Sequence, residues 1–277
     1  VLMTAAHMAP ALGLAPPRWR LCSLAGGPVP LQGGFSVDTV RLPARARGDR
    51  SVWISAGLGL NNAGDVARRL RDDDIVHMAA QVRRHVAAGG QVAAACSAVF
   101  LLHAAGLLPG RTVTTTWWLA PLLQQMEPAC RVDADRMVCA DGPLVTSGAA
   151  FAQTDLMLHL LRARCGSELV TAVSRMLLID GRVARQAPFI VPEVLASGDE
   201  LVCRITARVE QSLPAAPTVE ELAADFCMST RSLSRHVHGA TGKSSSALIQ
   251  SVRFRRARAL LENSRLTIEQ VAEAVGY

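Results

Sequence analysis

The sequence predicts an α/β domain with a mostly parallel sheet sandwiched by helices, followed by an all-helical domain. Three observations predict it. Over residues 1–195, short apolar runs closed by glycine alternate with stretches of helical periodicity, as expected of strands and helices that follow one another around a parallel sheet. Over residues 218–277, apolar residues keep helical spacing instead. Within that second region an 11-residue segment recurs: Thr218–Met228 reappears 49 residues later as Thr267–Tyr277. The 277 residues, half of them apolar, are long enough for two domains.

In chain order, Val1 falls in mid-helix by pattern, and Trp19–Ala25 reads as a strand closed by Gly26-Gly27. Ser51–Ala56 is a second strand, closed by Gly57-Leu58-Gly59. A helix from about Ile75 to Ala88 turns Val76, Ala79, Ala80, Val82 and Val86 inward, with Arg83 and Arg84 opposite and Gly89-Gly90 as its stop. Gln91–Cys96 is a third strand that runs straight into a helix beginning at Ser97, and Thr112–Thr116 is a fourth strand. Residues 132–147 form a hairpin around Ala140-Asp141-Gly142, followed by a helix from Ala149 to Ala163. Pro188 to Pro192 breaks this pattern and Ala196–Asp199 is a turn. Glu200–Leu213 is then an amphipathic helix, with Leu201, Ile205, Val209 and Leu213 in register, within a connecting segment of residues 196–217.

Each copy of the repeat starts with a threonine able to cap a helix and carries an acid, Glu220 or Glu269, in its first turn. Val219, Leu222, Ala223 and Phe226 face inward in the first copy, as do Ile268, Val271, Ala272 and Val275 in the second. After the first copy Ser229 opens another helix, with Leu233 and Val237 inward and Arg231, Arg235 and His238 outward. Helix, tight turn and second helix with outward basic and hydroxyl groups is the layout of a helix-turn-helix DNA reader. Two such units on one body reach successive major grooves about 10 bp apart. Between them, Ser244–Leu261 reads as a helix with Leu248, Val252, Ala257, Leu260 and Leu261 as its apolar stripe and Arg253, Arg255, Arg256 and Arg258 around it. Phe226 to Leu261 holds seven basic residues and no acid, a local excess suited to phosphate contacts. Thr230, Arg231, Ser234 and Arg235 are the candidates for base edges, with His238 further along the same helix. The turn of the first copy has Cys227 where the second has Gly276, the more usual residue for a tight turn.

In the α/β region the candidate site centres on Cys96. A cysteine at a strand-to-helix junction sits over the helix N-terminus, where backbone N–H groups lower a thiol pKa and stabilise an anion. The alternative is that Cys96 is one small buried residue among seven cysteines. His103 stands two turns along the following helix, too far to serve as its partner. His7, His77, His85 and His159 read as ordinary helix residues.

The remaining composition excludes several classes. The net charge is +6, almost all of it arginine, since Lys243 is the only lysine. No run of about 18 apolar residues offers a membrane span, and no leader sequence is seen. The seven cysteines form no Cys-x-x-Cys pair and no histidine lies at zinc-ligand spacing, so reduced thiols in a cytoplasmic protein are expected, with no metal and no cofactor.

Residues 214–277 resemble the AraC/XylS family of transcription regulators. The resemblance rests on Thr218-Val-Glu-Glu-Leu-Ala, on Met228 through Arg235, on Gly242, on Arg253, Ala257 and Leu260-Leu261, and on Val271-Ala272 with Val275-Gly276-Tyr277. Thr230, Ser245 and Leu248 depart from the family's common residues. Residues 1 to about 190 resemble the class I glutamine-amidotransferase-like superfamily, PfpI branch, as joined to AraC-type domains in the GlxA-type regulators. Gly26-Gly27-Pro28-Val29, Ala95-Cys96-Ser97, Ala104 through Gly110, Thr114 through Trp117, Thr146 through Ala149, Asp155 through His159 and Arg185 through Ile190 carry it. The resemblance implies a flavodoxin-like sheet, then a double helix-turn-helix whose second unit is incomplete, with the chain truncated at both ends and its DNA binding weakened accordingly.

It also implies a regulator that binds double-stranded DNA, responds to an unknown small-molecule effector linked to amino-acid or amine catabolism, and forms a homodimer. Superfamily enzymes pair the elbow cysteine with a histidine, but Thr116 stands in that place here, and Ala98 replaces the usual glycine after the elbow. No catalytic residue is therefore expected. Cys96, Ser97, Thr116, Trp117 and Gly57 are expected to line a ligand pocket. The rival reading is a cysteine-centred amidase, hydratase or glyoxalase-like enzyme using Cys96.

Overall fold

The computed structural model describes residues 1–31, 33–43, 51–179, 185–186 and 199–277. The chain forms two compact units, Val1–Thr116 with Met126–Ala184, and Trp117–Gln125 with Arg185–Tyr277. The break at Pro188–Pro192, the turn at Ala196–Gly198 and the division after residue 195 lie outside the described residues.

In the first unit the central sheet has the order β4-β5-β9-β8, formed by β4 (Val52–Ser55), β5 (Gln91–Ala95), β9 (Leu144–Ser147) and β8 (Val138–Asp141). The first three strands are parallel and β8 closes a hairpin antiparallel to β9. Strand β5 is buried along almost its whole length, which explains its unbroken apolar run. On one face Ala93, Ala95 and Val145 pack against Leu156 and Leu160 of α6 (Ala152–Cys165). Helix α1 (Leu2–Met8) joins α6 and α7 (Ser167–Met176) in a second cluster of Ala5, Ala9, Leu158, Leu161, Leu169, Val170 and Val173.

Several elements differ from the sequence reading. The first predicted strand shortens to β1 (Cys22–Ser23), which pairs with β3 (Ser36–Arg41). Gly27 does not end a strand but starts one: β2 (Gly27–Pro30) pairs antiparallel with β3. Its Gly-Pro-Val-Pro sequence lacks the alternation that marks a strand, and its residues are mostly exposed. The expected strand at Thr112–Thr116 is only β6 (Thr112–Val113), paired with β7 (Arg131–Val132). Thr114 and Thr115 take tertiary hydrogen bonds instead of a ladder: the Thr114 N–H donates to Thr146 Oγ1 at 2.9 Å, and the Thr115 hydroxyl to the Cys96 carbonyl at 2.8 Å. Three short helices, α2 (Ala63–Arg69), α5 (Ala120–Met126) and α7, went unread; α2 carries its own start signal, Asn62, whose side chain accepts the Asp65 N–H.

Helix α3 (Asp73–Ala87) forms as expected, but its buried stripe is Ile75, Ala79, Val82 and His85, while Val76 is 55% exposed. The stripe is set by where the helix meets the sheet. His85 stacks on Trp53 of β4 with ring centroids 4.2 Å apart, and its Nε2 lies 3.2 Å from the Gln91 carbonyl.

In the second unit α8 (Glu200–Ser212), α9 (Val219–Asp225), α10 (Thr230–Thr241), α11 (Ser245–Asn263) and α12 (Ile268–Ala274) follow in order. The repeat is realised in the same geometry at its two starts. Thr218 with Glu221 and Thr267 with Gln270 each form a complete capping box. Ser229, Ser244 and Asp199 cap α10, α11 and α8. Val202, Ile205 and Val209 of α8 share one core with Leu222, Ala223, Leu233, Val237, Leu248, Ile249 and Val252. Helix α8, read as a connector, is thus a core helix of this unit. Ile268 is 74% exposed and Leu261 55%, although both were placed inward.

Among the described residues no helix is long and apolar enough to cross a membrane, and no cluster of His, Cys, Asp or Glu is arranged to hold a metal ion. Gly90 sits so close to His85 that a Cβ there would come 2.2 Å from the imidazole ring. Gly90→Ala is therefore expected to push His85 off Trp53 and cost about 1–3 kcal/mol. Urea unfolding followed by tryptophan fluorescence measures both effects.

Candidate functional site

Strands β4, β5 and β9 run in parallel and end at one edge of the sheet, the usual place for a ligand in such folds. Cys96 follows β5 there, with a left-handed backbone of φ 55°. A residue with a Cβ pays roughly 1–2 kcal/mol for that conformation, so its surroundings must hold it. The Thr115 hydroxyl binds its carbonyl. Cys96 begins the turn, Cys96–Ala98, that leads into α4 (Val99–Ala104), and the Ser97 Oγ accepts the N–H groups of Leu58 at 2.9 Å and Leu60 at 3.4 Å. Gly57 lies against the elbow: a Cβ added to it would be 3.8 Å from Cys96 Sγ.

Of the expected pocket residues, Gly57 and Cys96 are therefore neighbours, while Ser97 is fully buried and spent on the loop backbone. Thr116 is fully buried, and among the described residues its hydroxyl has no hydrogen-bond partner; the Ser147 hydroxyl at the end of β9 is in the same condition. Trp117 falls in the second unit and packs edge-on against Trp118 with centroids 5.3 Å apart. His103 Nδ1 pairs with Glu127 Oε1 at 2.8 Å, as befits a structural histidine. Burial pushes the Cys130 and Cys139 thiols up to about 11, which keeps them protonated and unreactive.

In the second unit the turn after α9 places Cys227 at φ 54°, and the turn after α12 places Gly276 at φ 82°. The two repeats thus turn on the same backbone conformation. At Gly276 only glycine fits, because a Cβ would come 2.1 Å from the Pro214 carbonyl oxygen. At Cys227 space allows a side chain and the chain carries the strain.

Helix α10 buries Leu233, Val237 and Thr241 and exposes Arg231, Arg235 and His238 at i, i+4 and i+7, one continuous face. Among the described residues neither Arg231 nor Arg235 forms an ion pair. Thr230 is exposed, and Ser234 lies 3.4 Å from the Ser245 hydroxyl.

The arginines of α11 divide. Arg253 donates from Nε to the Val275 carbonyl at 2.8 Å and from Nη2 to the Gly276 carbonyl, and its guanidinium lies 4.0 Å over the Tyr277 ring. It braces the second turn instead of facing outward. Arg255 pairs with Glu210 at 3.1 Å and Arg258 with Glu262 at 2.6 Å, whereas Arg256 is exposed and in no ion pair among the described residues. The stretch itself holds no acid, but Glu210 before it and Glu262 just after it fold back onto its arginines.

The sequence reading also missed His236. Its Nε2 lies 2.9 and 3.0 Å from the two carboxylate oxygens of Asp199. Partial burial opposes ionisation of Asp199, yet hydrogen bonds from His236 and the Val202 N–H hold its carboxyl below the usual carboxylate range.

An elbow over a parallel sheet, followed by one helix-turn-helix and the first helix and turn of its repeat, makes a two-part chain that resembles a DJ-1/PfpI domain joined to an AraC-type helix-turn-helix domain. Residues 64–163 match the DJ-1/PfpI family and residues 222–277 a helix-turn-helix domain. Along 94% of its length the chain is 27% identical to the HTH-type transcriptional regulator GbdR of Pseudomonas aeruginosa, of which it covers 68%. It is also 27% identical to the HTH-type transcriptional regulator GlxA of Rhizobium meliloti, of which it covers 79%. In fold, 64% of the chain superposes on 87% of a putative transcriptional regulator protein from Vibrio parahaemolyticus, with a TM-score of 0.51 at 18% identity.

Two stability outcomes follow. Thr116→Val removes a buried hydroxyl that has no partner among the described residues and is expected to stabilise the ligand-free protein by about 1 kcal/mol or more; a lower melting temperature would show that the hydroxyl is bonded. Cys227→Gly relieves left-handed strain of about 1–2 kcal/mol against a chain-entropy cost of about 0.5–1 kcal/mol. A small rise in the urea midpoint of the helical unit is expected.

Proposed function

We propose that this protein is a sequence-specific DNA-binding transcription regulator whose α/β domain senses a small metabolite. The observation that carries the reading is the outward face of α10, where Arg231, Arg235 and His238 stand in line, in no ion pair among the described residues, on a helix capped and anchored by its neighbours. Each of the two arginines offers a bidentate fork to a guanine edge, and Thr230 and Ser234 add hydroxyls near the start of the helix. Arg256 is the phosphate contact of α11, with Arg255 and Arg258 contributing field while paired. The naming of relatives across both domains as transcriptional regulators favours this reading over a cysteine enzyme. So does Thr116 in the place of a base, since a thiolate without a general acid/base has no route to turnover.

On this reading the effector binds at the carboxyl edge of the sheet beside Cys96, Gly57 and Thr116, with Ser97 supporting the loop. The resemblance points to an effector from amino-acid or amine catabolism. The protein acts in the cytoplasm as a homodimer.

Incubation with fragmented genomic DNA at two salt concentrations, followed by sequencing of what stays bound, tests the proposal. A recurring motif is expected, with retention that falls as salt rises. Retention without a motif would refute sequence-specific reading. Arg235→Ala is expected to cost about 1–3 kcal/mol of discrimination at one base pair. Arg256→Ala is expected to weaken all sequences alike and to lower the salt slope by about 1.

A further inference from the structure

We infer that Asp199 and His236 form a positioning pair that fixes the placement of the recognition helix α10 from the N-cap of α8. The inference rests on α10 being the DNA-reading helix. Asp199 does two things at once. Its Oδ1 accepts the Val202 N–H at 3.0 Å and so starts α8, and both its carboxylate oxygens take the Nε2–H of His236. His236 is half-buried, between the exposed Arg235 and the buried Val237, at the border of the reading face.

The physical case is one of direction. Leu233 and Val237 hold α10 in the core through apolar packing, which is non-directional. Packing alone leaves small rotations of the helix about its axis inexpensive, and such rotations re-aim Arg231, Arg235 and His238. A charge-assisted hydrogen bond is directional and stronger than a neutral one. Two further ties fasten α8 elsewhere: Arg208 to Asp225 at the end of α9 (2.8 Å) and Glu210 to Arg255 of α11 (3.1 Å). Among these ties, Asp199–His236 alone reaches α10.

The test uses the full chain and the motif recovered from genomic DNA. Asp199→Ser keeps a capping side chain of similar quality but is too short to reach His236. His236→Leu removes the donor and His236→Gln restores one. Asp199→Ser and His236→Leu are expected to lower affinity for the motif roughly tenfold, with non-specific binding unchanged, and the double variant to be no worse than either single variant. His236→Gln is expected to recover much of the loss, which mere damage to packing would not allow.

A DNA-independent measurement separates the Asp199–His236 pair from the DNA-reading role of α10. Amide hydrogen exchange in α10 is expected to quicken in His236→Leu and to return towards the wild-type rate in His236→Gln. Exchange unaltered in His236→Leu, or motif affinity unaltered in both Asp199→Ser and His236→Leu, would overturn the pair. A wild-type chain that selects no motif, while exchange responds as expected, would instead overturn the DNA-reading assignment.

Discussion

Burial of the apolar edge of α8 is the constraint on which the helical unit depends. The hairpin of α9 and α10 and the long helix α11 expose Leu222, Leu233, Val237, Leu248 and Val252 on their inner sides. Val202, Ile205 and Val209 complete the core that covers them. Fully burying a side chain of this size contributes about 1.5–3 kcal/mol, so three of them are decisive for a unit of this length. The helix that appears in the sequence as a spacer is therefore the one the reading head cannot do without. That placement also gives α8 its polar ties to α9, α10 and α11.

The sequence disclosed what depends on near neighbours. Capping threonines, the helix-turn-helix repeat, the buried run of β5, the elbow at Cys96 and the turn at Asp141-Gly142 all have signals within a few residues, and all are present. What it concealed depends on distant partners. Strand β2 has neither alternation nor bulk, and it is a strand only because β3 lies beside it. The inward stripe of α3 is rotated because the sheet decides which side is inside, and the stack on Trp53 makes His85 a core residue. Thr112–Thr116 carries β-branched residues, yet Thr114 and Thr115 spend their hydrogen bonds on Thr146 and on the Cys96 carbonyl.

The same division governs the candidate sites. The reading face of α10 could be seen because helical periodicity alone separates Leu233 and Val237 from Arg231 and Arg235. The fate of the α11 arginines could not, since Glu210 and the Val275 carbonyl are 45 and 22 residues from their partners. At the elbow, position along the chain located Cys96. Only the fold distinguishes Ser97, spent on backbone, from Thr116 and Ser147, whose buried hydroxyls find no partner among the described residues.

The capping boxes at Thr218 and Thr267 have a consequence for how such a unit arises. In each, four consecutive residues supply both the side chain that closes the helix start and the side chain that returns the bond. Nothing outside those four residues is needed to begin the helix. A segment that carries its own beginning is portable: copied to another place in a chain, it starts a helix there too, and only its turn must be fitted to new surroundings. The two copies in this protein differ in that way, with the same beginning and with Cys227 in one turn and Gly276 in the other.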